Sequence, residues 1–353
     1  MSAHKSLSIN DDEDWVVSPF LKESAQARDR LVVAAGTLIP GEHPWVSIDA
    51  VLGSRWATAL ASEAAALESA SVLSPHTFKY STQDGSEQLF HHPGRRFVDL
   101  DPARVSPRVK EIAPLLVRFA EEDVARLLLQ LRSNIPQMAF APDSVPHVKL
   151  QLTTGEFGCT PCHYDISETE PNTLQLSILI YLSDKEWCED WGGELQLLPF
   201  VGRPTNLQPS FDKAVLILAD HMLHRTLPPR GVGIDRPRWL LTVWLDGHVV
   251  DEPRIHGGLA PPLQRLLAPA LHNRAYMESL MQSIPPGDVC VSLLAQQRTE
   301  IEALEADPEI KTLLEGLREV QAEEEEEEFE EDMLDMCEPS AKLQRCDETM
   351  DVL

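Results

Sequence analysis

At Pro146 the hydrophobic period of this chain switches from helical to strand-like, and that switch limits the possible folds more than any other feature. Upstream, apolar residues recur at every third or fourth position. Downstream come short alternating or continuously apolar runs, at Val148 to Thr153, Leu174 to Leu182, Glu194 to Phe200, Ala214 to Ala219 and Trp239 to Leu245. Such runs read as strands. The intervals carry turn chemistry in Gly155, Pro171-Asn172, Gly192-Gly193, Gly202 and the stretch from Pro228-Pro229 to Gly233. Short strands at this density predict a mainly β core, a sandwich or jelly roll, with flanking helices, an α+β class.

Around this core the sequence divides into five segments. Residues 1–45 read as weakly structured, with Leu31 to Ala35 a candidate strand. Residues 46–140 read as a helical bracing region. There Leu52, Trp56, Leu60, Glu63 and Leu67 keep helical spacing behind a candidate N-cap at Asp49. Within this region the polar stretch from Ser74 to Pro102, with His91, His92, Arg95 and Arg96, reads as a solvated loop, a substrate-contacting loop being the alternative. Ser106-Pro107 pairs a cap residue with proline at the first helical position, and Pro114 predicts a break further along. Residues 141–250 hold the jelly roll. Residues 251–320 return to helix at Leu263–Met281, Val289–Leu304 and Pro308–Val320, expected to pack outside the sheets. Residues 321–353 form an acidic tail whose glutamate block, Glu323 to Glu328, predicts disorder or a solvated helical extension. No internal repeat is visible.

The formal net charge is −27. The tail holds fourteen acids against Lys342 and Arg345, a net of −12, so the remaining −15 belongs to the body. An acidic body argues against a nucleic-acid groove, which needs clustered Lys and Arg. A protein or peptide partner, of basic character, or a small molecule is the expected ligand. Six cysteines in 353 residues do not make a secreted disulfide framework. Asp11, Asp12, Glu13 and Asp14 occupy the place of a signal peptide's apolar core, and no run reaches membrane-spanning length. These features predict an intracellular protein, cytoplasmic or nuclear.

Chemistry concentrates in three residues: His163 and Asp165, two apart in Cys-His-Tyr-Asp, and His224, fifty-nine residues after Asp165. Two residues so spaced on a strand share a face, and a partner strand can bring the third beside them. Two imidazoles and a carboxylate can take one face of an octahedral Fe(II) and leave the other open. His221 is an alternative third ligand. On the last strand Arg238, Leu240, Thr242 and Trp244 share one face, and an arginine on a buried strand calls for an anion. Tyr181 is in phase to reach the same anion. A rival motif is Cys159-Thr-Pro-Cys162-His163, which matches the C-x-x-C-H of covalent haem attachment but leaves Asp165 and Arg238 unexplained.

Taken together, His163-Tyr164-Asp165, the Tyr181-Leu182-Ser183 strand end with Trp187, Gly192-Gly193-Glu194-Leu195, Phe211-Asp212-Lys213, His224 with Pro228, and Arg238 through Thr242 to Trp244 carry a family resemblance. The stretch from about Val148 to Asp246 resembles the prolyl-4-hydroxylase-like branch of the 2-oxoglutarate and Fe(II)-dependent dioxygenases. The resemblance implies a double-stranded β-helix with His163, Asp165 and His224 as iron ligands. It also implies that Arg238 and Tyr181 hold the distal carboxylate of 2-oxoglutarate, and that Thr242 and Trp244 line the cavity. Fe(II), 2-oxoglutarate and O2 are the implied cofactor and co-substrates, with ascorbate admissible as a reductant. Hydroxylation of a peptidyl proline or another protein residue is the implied reaction. The chain departs from the family in carrying Thr153 or Thr154 where a tyrosine is common. Its long Pro228-to-Asp235 loop leaves Arg236 as an alternative to Arg238. A different class of function, a catalytically silent jelly roll recruiting partners through its acidic tail, would not require the intact triad and arginine.

Overall fold

The computed structural model describes residues 20–40, 42–82, 85–136, 138–140, 146–165, 174–249 and 259–337. The N-terminal part comprises α1 (Leu21–Ala35), β1 (Trp45–Ile48), α2 (Ser54–Ser69), β2 (Ser74–Ser81), β3 (Glu87–Asp99), α3 (Pro107–Ile112), α4 (Pro114–Arg118) and α5 (Val124–Asn134). Then come β4 (Met138–Phe140), β5 (His147–Thr153), β6 (Thr160–His163), β7 (Leu174–Tyr181), β8 (Leu195–Leu198), β9 (Thr205–Leu207), β10 (Ala214–Leu218), β11 (Leu223–Thr226) and β12 (Arg238–Val249). The chain continues through α6 (Pro261–Leu271), α7 (Asn273–Ser283), α8 (Asp288–Glu305) and α9 (Pro308–Cys337). No described helix is long and apolar enough to cross a membrane.

The strands form two antiparallel sheets. The larger runs β1-β10-β7-β12-β5-β3-β2, with β4 added to β12, and the smaller runs β6-β11-β8-β9. Side chains of β12 alternate as its sequence requires. Trp239, Leu241, Val243 and Leu245 enter the main core under α1, α2 and α5. Thr242 and Trp244 turn the other way, toward the smaller sheet. A second apolar cluster joins the sheets, with Leu179, Tyr181, Val215 and Ile217 from the larger against Leu195 and Leu197 from the smaller. This is the jelly-roll core, with helices flanking the sheets.

One carboxylate ties the helices to one another and a second ties them to the β core. Proline at the first position of α4 leaves the next amides without intrahelical partners, and Glu63 of α2 accepts from Leu115 N at 3.0 Å and Leu116 N at 2.8 Å. Asp212, just before β10, accepts from Leu52 N at 2.7 Å and Gly53 N at 2.9 Å, so the turn leading into α2 is anchored on the β core. Ser106 caps α3 through Val109 N at 3.3 Å, and the chain breaks between α3 and α4 at Ala113, ahead of Pro114.

Several expectations need correction. Leu31 to Ala35 is the last turn of α1, because Ala27, Leu31, Ala34 and Ala35 form a buried helical stripe. Asp49 is not the cap of α2. Residues 45–48 are taken up by β1, the helix starts at Ser54, and Asp49 pairs with Lys213 at 3.2 Å. The stretch from Ser74 to Pro102 is chiefly a long hairpin, β2–β3, that extends the larger sheet beyond β5. The C-terminal helices do more than back the sheets, because α7 packs on β6 and α8 on β2. The helical alternative for the tail holds along the backbone as far as Cys337, while residues 338–353 and 1–19 lie outside the described residues.

Candidate metal centre and cavity

β6 and β11 are adjacent in the smaller sheet, and their register sets His163 directly opposite His224. The two rings lie 4.3 Å apart, centroid to centroid. Asp165 is not on the strand with His163. β6 ends at His163, and Asp165 reaches back from the bend that follows, 3.6 Å from His163 Nε2 and 3.9 Å from His224 Nε2. One candidate ligand atom from each of the three residues falls within 4.8 Å of the others.

Protonation favours a cation here. His163 Nδ1 lies 2.9 Å from Pro161 O and His224 Nδ1 lies 3.2 Å from Met222 O, so each Nδ1–H can donate to a carbonyl, leaving the Nε2 lone pair for a metal. Burial, then the neighbouring His224, pushes His163 down to about 4 and keeps it neutral. Burial acting alone would raise Asp165. The two imidazoles, with Ser177 and Trp244 beside it, hold it below the usual carboxylate range. Its Oδ2 is buried without a hydrogen-bond partner, a costly state for a carboxylate unless a cation shares the site. The donor set thus fits Fe(II).

The triad opens onto a cavity of about 480 Å³ between the sheets, whose wall includes His163, Asp165, His224, Tyr181, Thr242 and Trp244. Gln151 on β5 steadies Thr242, its Nε2 donating to Oγ1 at 2.9 Å. Arg238, expected on this wall, stands behind it. Its guanidinium is buried and donates to Gly193 O at 2.6 Å and Gly158 O at 3.0 Å. Gly193 permits this approach, since it holds φ at +77° and any Cβ would fall 2.7 Å from Arg238 Nη1. Arg236 faces outward, paired with Asp184 at 2.7 Å and lying over the Trp191 ring. His221 is likewise apart from the triad, its Nδ1 2.6 Å from Asp220 Oδ1. Cys159 and Cys162 are buried free thiols pushed up to about 11 by burial, which suits core residues rather than nucleophiles.

The sequence reading missed the far wall. His76 of β2 and His92 and Arg95 of β3 face the same space, and Leu280 of α7, Ile284 and Leu293 of α8 close it. The alternation of Thr77, Phe78, Lys79 and Tyr80 was the available signal for β2, and the phase of Arg95 and Phe97 the one for β3.

Residues 150–246 match the family model of the 2OG-Fe(II) oxygenase superfamily. Among solved structures, a prolyl 4-hydroxylase of Phytophthora capsici is 28% identical with a TM-score of 0.65, over 85% of this chain and 95% of that one. A prolyl-4-hydroxylase of Pseudomonas putida is 18% identical (TM-score 0.46, 63% and 99% covered). A prolyl hydroxylase of Trichoplax adhaerens, in complex with a hypoxia inducible factor oxygen degradation domain peptide fragment, is 16% identical (TM-score 0.44, 73% and 97% covered). The search of curated proteins by sequence gave no match. The matched core, with the His-Asp-His site inside it, is a 2-oxoglutarate- and Fe(II)-dependent oxygenase domain, prolyl-4-hydroxylase-like in build.

Proposed function

We propose that the protein hydroxylates a side chain of a protein or peptide substrate, with peptidyl proline the favoured target. The reaction would consume one 2-oxoglutarate and one O2 and release succinate and CO2, one oxygen atom entering the substrate and one the succinate. The observation that carries this reading is the His163-Asp165-His224 cluster opening onto a cavity larger than a five-carbon dicarboxylate needs. Its remaining wall is apolar at Phe78, Leu280, Ile284 and Leu293, a surface suited to a pyrrolidine ring. The likeness to the Phytophthora capsici prolyl 4-hydroxylase supports the same target. The net charge of −27 favours a substrate with basic flanks.

In this reading His163, Asp165 and His224 hold the metal, and two carbonyls fix the tautomer of the imidazoles. Fe(II), when bound, supplies the activation of O2 that couples decarboxylation to C–H oxidation. Tyr181 and the positive charge of Arg238 fix the far carboxylate of 2-oxoglutarate, while Thr242 and Trp244 shape the wall beside it. The apolar lining from α7 and α8 excludes water from the substrate side chain.

The test is mass spectrometry of proline-containing peptides with basic flanks, beside matched peptides carrying alanine for proline. Incubation with Fe(II) and 2-oxoglutarate should add one oxygen to proline, with an equal yield of succinate, and omission of 2-oxoglutarate should abolish both. Oxygen appearing on another residue type, or succinate formed equally with every peptide, would overturn the proline assignment.

A further inference from the structure

Among the described residues, Arg95 is the one arginine lining the cavity of about 480 Å³, and no hydrogen bond or ion pair engages it. The sheet register explains where it stands. Arg95 on β3 pairs with Thr153 on β5, and Thr153 pairs on its other side with Arg238 on β12. The two arginines therefore flank Thr153 in one row across three strands, with their side chains on the same face. That row lies at the end of the wall away from the triad. The next rows along β12, at Leu240 and Thr242, are opposite Tyr181 and Leu179, and Trp244 is opposite Ser177 beside Asp165.

The two guanidiniums are not equivalent. Arg238 spends a donor on each of Gly193 O and Gly158 O, and its position behind the wall makes it a fixed charge with a rigid cradle. Arg95 keeps its fork for the cavity. Both also approach Cys159, and the charge of Arg238 disfavours that of Arg95. Burial first, with Arg238 a further cause, pushes Arg95 down to about 10. Two cations in one row, Arg238 held behind the wall and Arg95 facing the cavity without a partner among the described residues, make an arrangement that an anion between them would relieve.

We propose that Arg95 is a second anchor for the distal carboxylate of 2-oxoglutarate, its free guanidinium fork gripping the anion from the β3 side while Arg238 and Tyr181 flank it from β12 and β7. The inference rests on the co-substrate reading above and assigns the specificity for a dicarboxylate to a hairpin outside the matched domain. Arg95 is a binding residue in this scheme and takes no part in proton transfer.

The test separates the distal carboxylate from the rest of the molecule. The full chain, loaded with Mn(II) under anaerobic conditions, is titrated calorimetrically with 2-oxoglutarate and with 2-oxopentanoate, which shares the keto-acid head and lacks the distal carboxylate. The parent should strongly prefer 2-oxoglutarate. Arg95→Met should weaken 2-oxoglutarate by roughly ten- to hundred-fold, the usual effect of removing a charged hydrogen-bonding partner, and leave 2-oxopentanoate unchanged. Arg95→Lys, which keeps the charge and covers the case of a poorly folded methionine variant, should fall between them. Unchanged 2-oxoglutarate affinity in Arg95→Met, or equal losses for both ligands, would overturn the role of Arg95. A parent that does not distinguish the two ligands would instead overturn the co-substrate reading itself.

Discussion

Arg238 and Arg236 are two residues apart on the sequence, yet the structure gives them opposite surroundings. Arg238 is buried with two carbonyl partners, whereas Arg236 is 45% exposed in a surface pair with Asp184. Arg238→Met should therefore leave Gly158 and Gly193 without donors and remove the charge behind Tyr181. The expected loss in 2-oxoglutarate affinity is about 2–5 kcal/mol, with bound iron retained. Arg238→Lys should lie between, and Arg236→Met should change stability and affinity by no more than about 0.5 kcal/mol. Succinate formation against 2-oxoglutarate concentration, with a melting curve for each variant, checks this, and a crippled Arg236→Met would show that the strand face had been misassigned. Asp165→Ala should fail to retain iron on anaerobic gel filtration, since two neutral imidazoles replace a charged ligand set. At this scale the triad was legible from the close spacing of His163 and Asp165 and from the family resemblance around His224, although Asp165 stands on the bend after β6 and not on the strand. Arg95 was not, because its place beside Arg238 depends on β3 crossing to β5, a pairing that no local spacing records.

The elements that escaped sequence reading share a physical cause. The β2–β3 hairpin mixes polar and apolar residues on the face toward the cavity, where Phe78 stands among His76, His92 and Arg95, so its alternation is short and weak. β6, β9 and β11 have only three or four residues each, too short for a period to emerge, although β6 and β11 carry the two imidazoles. By contrast, β5, β7, β10 and β12 pack apolar faces against the helices and were legible as alternating or continuously apolar runs. The hairpin is locked where Gly94 crosses the β5–β6 connection. A Cβ at Gly94 would lie 2.6 Å from Thr154 O and 2.9 Å from Gly158 N, both backbone atoms that cannot swing aside. Gly94→Ala should thus cost about 1–3 kcal/mol and disturb the adjacent Arg95. Gly316, inside α9 with nothing near its would-be Cβ, is the control, and Gly316→Ala should stabilise by about 0.5–1 kcal/mol. Denaturant unfolding of the two variants checks the contrast; equal effects would mean that crowding at Gly94 relaxes freely.

Across the whole molecule, the C-terminal helices are held to the smaller sheet by a cluster in which Phe200 and Val201 meet Leu267, Leu271, Ile301 and Leu314. His272 sits at the α6–α7 junction within this docking region, and α7 in turn packs on β6, the strand of His163. Burial pushes His272 down to about 4, against the opposing pull of the Phe200 and Pro199 carbonyls. A histidine lowered on folding is neutral in the native state, while the unfolded chain takes up its proton near the ordinary value of 6.5. Its contribution is therefore fully present above pH 6.5 and falls as acid is added, until the native group itself titrates near 4. Between pH 7 and pH 5 this single group should cost about 2 kcal/mol of stability. His76 and His92, lowered to about 3 and about 4 chiefly by burial, act in the same direction. Glu63 and Asp212, raised by burial, act in the opposite one, so the parent's pH profile alone cannot isolate any of them. The informative quantity is the difference between the parent and His272→Gln, each unfolded with urea at pH 7 and at pH 5. The variant should be less stable at pH 7 yet lose about 2 kcal/mol less on acidification. Parallel losses in the two proteins would show that His272 is solvated in the native state, and with it that the α6–α7 junction does not bury this imidazole.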